Sequence, residues 1–141
     1  MNNIVLISCA IKKKNYETKA KDLFISPLFK YNLRYSKFFK PSKIFLLSSK
    51  YGLLNLDEKI KPYYLRLEKE PIEKVKKWSE KVIKQLSEKT DLNKDNYIFL
   101  AGKKYREFLI PKLKNFDVPL KGLGIGKQIK FLKEEINKYN L

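Results

Sequence analysis

The chain alternates short, unbroken apolar runs with longer stretches in which apolar residues recur every three or four positions. Three runs are apolar without a polar alternation: residues 3–8, residues 43–48 and residues 97–101. Runs of this length predict strands with both faces covered, as in a parallel sheet. Between them lie helical patterns. Ser26-Pro27 reads as a helix start, with Ser as N-cap and Pro at the first helical position. That helix is expected to reach about Phe39, with Leu28, Leu33, Phe38 and the tyrosines on its apolar side and Pro41 as its stop. Pro71 opens a second helix to about Glu88, with Ile72, Val75, Trp78, Val82, Ile83 and Leu86 at helical spacing. Residues 103–113 predict a third helix, and Gln128 to Tyr139 a fourth, with Ile129, Leu132 and Ile136 inward. Residues 117–120 read as a short fourth strand. Residues 49–54 and 55–67 read as loop and irregular chain.

The resulting order is strand, helix, strand, helix, strand, helix, strand, helix. It predicts an α/β fold: one three-layer domain over residues 1–141 with a mainly parallel sheet of about four strands. No internal repeat or linker interrupts the pattern. The opening apolar run is short and lacks a basic flank, so it is expected to be a buried strand and not a targeting segment. A cytoplasmic protein without membrane partners is the expectation.

Composition then narrows the chemistry. The chain has no histidine and one cysteine. A Ser-His-Asp or Cys-His relay, a His-ligated metal, a cysteine zinc cluster and an intrachain disulfide are therefore excluded. No metal or cofactor is expected. Lys and Arg total 32 against 15 acids, a net charge of +17, and only Arg34, Arg66 and Arg106 are arginine. A drift toward Lys and Asn codons would account for part of this excess. It would also raise Glu, and the acids stay few. The charge points to a polyanion partner, DNA or RNA. The dominance of Lys suits attraction to phosphate better than bidentate base reading, which favours Arg.

In open α/β sheets ligands bind beyond the carboxyl ends of the strands. Small, polar and glycine residues gather there. Ser8, Cys9 and Lys13 follow the first strand. Ser48, Ser49, Lys50, Tyr51 and Gly52 follow the second, Gly102 and Tyr105 the third, and Gly122, Gly124, Gly126 and Lys127 the fourth. Cys9 is a candidate nucleophile, to be activated by a nearby Lys or a helix N-terminus; it is equally a small buried hydrophobe. Asp22, just ahead of the Ser26 cap, is a candidate general base or a helix-flanking acid; Asp57 and Glu58 are weaker candidates. Lys50 can hold a phosphate and Tyr51 stack on a base, an ambiguity that Tyr63 and Tyr64 share. The Gly122-Leu-Gly-Ile-Gly126 turn matches neither the dinucleotide nor the Walker spacing.

These motifs occur in a specific order: Ser8-Cys9 with Lys13, Asp22-Leu23 with Ser26-Pro-Leu-Phe29, Ser48-Ser-Lys-Tyr-Gly-Leu-Leu54, Pro62-Tyr63, Ala101-Gly102 with Tyr105, and Pro119-Leu120 with Gly122-Leu-Gly-Ile-Gly126. The set resembles a YaaA-like domain-of-unknown-function family of phages, mobile elements and prokaryotes. The first motif is similar, more remotely, to the lysine-transfer domain of archaeosine synthase, which modifies a deazaguanine base in tRNA. That resemblance implies a uracil-DNA-glycosylase-like fold. Cys9 and Lys13 match its signature. Ser8 and Lys14 stand where it has Pro, Tyr16 is displaced by one, and its His is absent. Tyr51 stands where the YaaA-like family's turn motif usually has His.

The combined expectation is a nucleic-acid-associated enzyme of nucleobase modification or excision. Catalysis would rest on Cys9 and Asp22. Ser8, Lys13, Ser48, Lys50, Tyr51, Gly52, Gly102, Tyr105, Gly122, Gly124 and Lys127 would bind substrate. The alternatives are a non-enzymatic basic module that binds DNA or RNA, and a domain acting on small nucleotide phosphates.

Overall fold

The computed structural model describes residues 2–141. Among the described residues seven strands and five helices follow one another: β1 (Asn3–Ser8), β2 (Thr18–Lys19), α1 (Ala20–Leu23), α2 (Pro27–Tyr35), β3 (Lys43–Ser48), β4 (Gly52–Asn55), β5 (Lys59–Ile60), α3 (Ile72–Lys89), β6 (Asn96–Leu100), α4 (Lys103–Arg106), β7 (Asn115–Asp117) and α5 (Ile125–Tyr139). Short 3-10 turns lie at Ser36–Phe39, Leu67–Lys69 and Ile110–Lys112.

The main sheet has the order β4-β3-β1-β6-β7. Strand β1 is parallel to β3 on one edge and to β6 on the other, and β7 is parallel to β6. Alternation along β1 sends its side chains into two cores. Val5 and Ile7, with Leu46, Ile98 and Leu100, pack against Phe29 and Tyr35 of α2 and Leu132 and Ile136 of α5. Ile4 and Leu6, with Phe45, Leu47, Tyr97 and Phe99, pack against Val75, Trp78, Val82 and Leu86 of α3. The unbroken apolar runs are thus the signature of a sheet sandwiched between helices. The α/β class and the mainly parallel sheet agree with the sequence pattern.

Four local expectations need correction. Residues 49–54 are not a plain loop. They turn into β4, which pairs antiparallel with β3, so the sheet has five strands instead of about four. The last strand lies at residues 115–117, ahead of the expected 117–120, because it needs register with Asn96–Ile98 of β6. The expected helix over 103–113 is one α-turn followed by a 3-10 turn at Ile110–Lys112; Pro111 has no N–H to continue an α-ladder. Helix α2 ends at Tyr35, and Ser36–Phe39 tightens into a 3-10 turn before Lys40 at φ 46°. Its start is as expected: the Ser26 hydroxyl accepts a hydrogen bond from the Phe29 N–H at 3.3 Å.

Residues 12–25, which sequence pattern leaves unassigned, form a tied loop. The Lys14 N–H donates to the Leu23 carbonyl at 2.9 Å and the Ile25 N–H to the Lys12 carbonyl at 3.0 Å. The small β2-β5 ladder holds its far end. Among the described residues no helix is long and apolar enough to cross a membrane.

The β3-β4 turn is pinned from α3. Gln85 Oε1 accepts from the Leu53 N–H at 2.8 Å, and its Nε2 donates to the Tyr51 carbonyl at 3.3 Å. Gly52 has φ 77°, and a Cβ there would collide with Gln85 Oε1. Gly52→Ala is therefore expected to destabilise the protein by about 1–3 kcal/mol, combining backbone strain with displacement of the Gln85 clamp. Urea denaturation tests this; an unchanged midpoint would contradict the clamp.

Candidate active site

The parallel strands run in the chain-order sense second, first, third, fourth, so the direction of winding reverses between β1 and β6. A crevice must open there, because the connections leaving the two strands diverge to opposite sides. The chain fills that position with a cavity of about 700 Å³. Its base is formed by Ser8, Cys9, Leu100 and Gly102. One wall comes from α2 and α5, and the opposite wall from Tyr105 and Glu68.

Cys9 is fixed at the end of β1 because its N–H still donates to the Leu47 carbonyl at 3.0 Å, one residue beyond the strand. Its Sγ lies 3.4 Å from the Tyr105 hydroxyl and 4.0 Å from Ser49 Oγ. Tyr105 is oriented by an edge-to-face contact with Trp78, centroids 5.5 Å apart. The Trp78 indole N–H in turn donates to the Ser48 carbonyl at 2.8 Å. One side chain of α3 thus braces both the β6 and the β3 sides of the thiol.

A second phenol approaches from the β3 side. The fully buried Ser48 hydroxyl donates to Tyr63 Oη at 2.7 Å. It also accepts from the N–H groups of Lys50 and Tyr51 at 3.2 and 3.0 Å. Burial pushes the ionisation of Tyr63 and of Tyr105 well above the ordinary tyrosine range. The nearby Cys9 adds to both shifts, and Glu68 adds to that of Tyr105. Both phenols therefore remain protonated, and able to donate, across the physiological range. Lys13 lies beside this group, with its ammonium 5.2 Å from the Tyr63 ring centre and 5.6 Å from that of Tyr64. Partial burial lowers its pKa, opposed by Cys9.

The candidate residues separate into groups. Ser8, Cys9, Gly102, Tyr105 and Gly122 line the cavity. Lys13 does not line it and stands beside Tyr63 and Cys9. Ser48 does not line it; it is a buried turn-former whose hydroxyl is spent on Tyr63 and two backbone N–H groups. Gly52 belongs to the clamped turn. Lys50 lies over the Tyr51 ring at 5.2 Å, on the β3-β4 side. Gly124 caps α5, and Lys127 is an exposed residue of its first turn. Asp22 is exposed on α1 and borders a shallow depression with Glu17, Lys19, Lys21 and Lys59, apart from Cys9. The Lys14–Leu23 and Lys12–Ile25 bonds tie the two ends of that segment together. Asp57 pairs with Lys19 and Lys21 at 3.8 and 3.5 Å on the same side.

Two cavity residues escape sequence reasoning. Glu68 is the one acid lining the cavity, and it sits in a 3-10 turn that no periodicity marks. Asn32 lies inside α2, where polar residues ordinarily face water, and is 95% buried, its exposure being 5%. Among the described residues no cluster of three or more His, Cys, Asp or Glu could hold a metal.

A family of unknown function, DUF6884, matches residues 4–134. The chain belongs to this family. No curated protein and no solved structure matches it. Within this DUF6884 member the matched span runs from β1 into α5, so it takes in every strand and every wall of the cavity.

The buried phenols set an alkaline limit. A phenol whose folded pKa is raised contributes stability that is complete below the unfolded value of about 10 and is lost as pH rises through the folded value. Absorbance titration of the folded protein is expected to leave Tyr63 and Tyr105 un-ionised when exposed tyrosines have titrated. Their ionisation should coincide with unfolding. Tyr105→Phe and Tyr63→Phe should each remove one late phenol; early titration of all nine tyrosines would overturn this assignment.

Proposed function

We propose that this DUF6884 protein is an enzyme of nucleobase modification or excision that acts on DNA or RNA. The observation that carries the reading is the contrast between the interior and the mouth of the strand-end cavity. The interior is lined by aliphatic and aromatic side chains, and Lys12, Lys103, Lys104, Lys121 and Arg106 also border the space, against the single acid Glu68. An apolar slot suits a flat, weakly solvated base, and a basic rim suits the phosphates that would carry it. A base lifted from its stack can enter such a pocket while its backbone remains outside.

The reactive edge of the slot is Cys9. Cys9, Tyr105 and Glu68 line the same cavity and would stand in for an absent histidine. The sulfur meets the phenol at 3.4 Å, and the Glu68 carboxylate acts on the same phenol. In this reading Cys9 is the nucleophile or the group facing the reacting atom, Tyr105 stays protonated and holds the sulfur in place, and Glu68 is the acid available on the same cavity wall. Lys13, near Cys9, supplies positive charge. Glu68, which lines the cavity, is better placed for a base than Asp22, which borders a separate depression. The similarity of Cys9 and Lys13 to the lysine-transfer domain of archaeosine synthase, with its uracil-DNA-glycosylase-like fold, agrees with base chemistry.

A second reading is a non-enzymatic basic module that binds DNA or RNA. Its supporting observation is that Cys9 packs into both cores among partly buried hydrophobic residues, as a structural cysteine would.

Fluorescence anisotropy with single-stranded DNA, duplex DNA and tRNA at several salt concentrations separates these readings from a purely compositional charge. Binding that weakens steeply with salt is expected. Charge reversal at Lys103, Lys104 and Lys121 together should reduce affinity at least tenfold and flatten the salt slope. Absence of binding to every polymer at low salt would overturn both readings. For chemistry, nucleosides from digested substrate are examined by mass spectrometry. Cys9→Ala and Glu68→Gln are expected to abolish an altered nucleoside while binding survives. Full biological effect with Cys9→Ala and Glu68→Gln would favour the binding module.

A further inference from the structure

We propose that Tyr64 is a stacking platform for an unpaired base of a single-stranded nucleic acid, with Lys12, Lys13 and Lys14 attracting the phosphates beside that base. The proposal deepens the reading of a nucleic-acid partner and rests on it. It names the form of the polymer and a residue that meets it outside the cavity.

Residues 61–66 follow β5 without regular structure. Two adjacent tyrosines in this segment have opposite surroundings. Tyr63 is buried, and its hydroxyl accepts from Ser48 at 2.7 Å. Tyr64 is 84% exposed, the highest value for any large hydrophobic side chain among the described residues. The backbone that carries it is held on both sides. Tyr63 is fixed before it, and after it the Leu65 carbonyl accepts from the Ser49 hydroxyl at 2.6 Å. A tyrosine on a fixed backbone has only two side-chain torsions to order when a ligand arrives. Its ring gains nothing from folding, because almost none of its area leaves water.

A lone exposed aromatic is ordinary on a protein surface. Tyr64 is not alone. The Lys13 ammonium lies 5.6 Å from its ring centre and donates to the Ile11 carbonyl at 2.9 Å, which joins residues 11–16 to residues 61–66. Within the first segment the Lys14 ammonium lies 5.7 Å from the ring centre of Tyr16, which is itself exposed. The two segments carry Lys12, Lys13, Lys14, Lys61 and Arg66 and no acid. Exposed rings interleaved with cations are what a single strand requires: the rings take base faces and the cations take the backbone. A duplex keeps its bases stacked on one another and offers Tyr64 no free face. An acidic peptide would engage the lysines and leave the ring without a partner.

Both segments continue into the cavity. Ile11 and Lys12 line it from the first, and Glu68, four residues beyond Tyr64, lines it from the second. A strand stacked on Tyr64 is thereby held at the border of the cavity.

The test is fluorescence anisotropy with labelled single-stranded DNA and RNA, the matching duplex, and a strand of equal length in which every base is replaced by an abasic site. For at least one of the two single strands, wild-type protein is expected to bind the base-bearing form roughly five- to a hundredfold more tightly than the abasic form. The duplex should also bind more weakly than that strand. Tyr64→Ala should remove most of the advantage of the base-bearing strand and leave abasic binding unchanged, with an unaltered melting temperature. Tyr64→Phe and Tyr64→Trp should keep the advantage. Tyr64→Trp carries the test should Tyr64→Ala fold poorly: its exposed indole should be quenched by the base-bearing strand and not by the abasic one.

Equal binding of base-bearing and abasic strands by the wild type overturns the proposal. So does a duplex that binds as tightly as the single strand, or polyglutamate that competes as well as the strand does. If single strands bind with a steep salt dependence and Tyr64→Ala binds them as the wild type does, the platform falls and the nucleic-acid reading stands. If no polymer binds at low salt, both fall.

Discussion

The organisation of the molecule depends on one strand. Strand β1 is hydrogen-bonded in parallel on both edges and buried on both faces, so nothing about it can move without breaking two ladders and two cores. Its neighbours β3 and β6 belong to connections that leave toward opposite sides of the sheet. The chain after Ser8 and the chain after Leu100 therefore separate, and the opening between them is a consequence of topology. Every cavity-lining group discussed above is attached to that opening or to a helix packed over it. The rigidity of β1 is what allows a single thiol at its end to be held at defined distances from two other side chains.

Polar groups around that thiol are arranged economically. Ser48 supplies one hydroxyl that terminates β3, closes the turn into β4 and fixes Tyr63, while its carbonyl takes the Trp78 indole N–H. Trp78 in turn supports the Tyr105 ring. Removing water from around the two phenols raises their pKa values and keeps them as hydrogen-bond donors. Two protonated hydroxyl groups thereby stand beside the thiol. Among the residues that line the cavity, five basic side chains stand against one acid, Glu68.

The helical and strand pattern made most of the architecture legible. Apolar runs in β1, β3 and β6 marked the buried sheet, Ser26-Pro27 marked the start of α2, and the spacing of Val75, Trp78, Val82 and Leu86 marked the buried face of α3. These signals are local: they arise from side-chain periodicity and from the backbone preferences of Ser, Pro and Gly. The strand-end loops carrying Cys9, Gly102, Tyr105 and Gly122 were legible for the same reason, since each follows a recognisable strand.

What local pattern could not decide was which of the loop residues meet. Residues 52–55 became a strand only because β3 offered an open edge and Gln85, more than thirty positions away, secured the turn. Asp22, ahead of the Ser26 cap, and Ser48, at the end of a predicted strand, were both candidates, yet one lies on an exposed surface and burial makes the other a turn-former. Glu68 and Asn32 carry no sequence mark, because a lone acid in a 3-10 turn and a polar residue in an amphipathic helix are ordinary until a cavity forms against them. The sequence by itself determined the layers, the strand ends and the basic character of the chain, since these follow from composition and period. Only the tertiary structure decided the membership of the site, because proximity across β1, β3 and β6 is set by ladder register and helix packing over separations of 40 to nearly 100 residues.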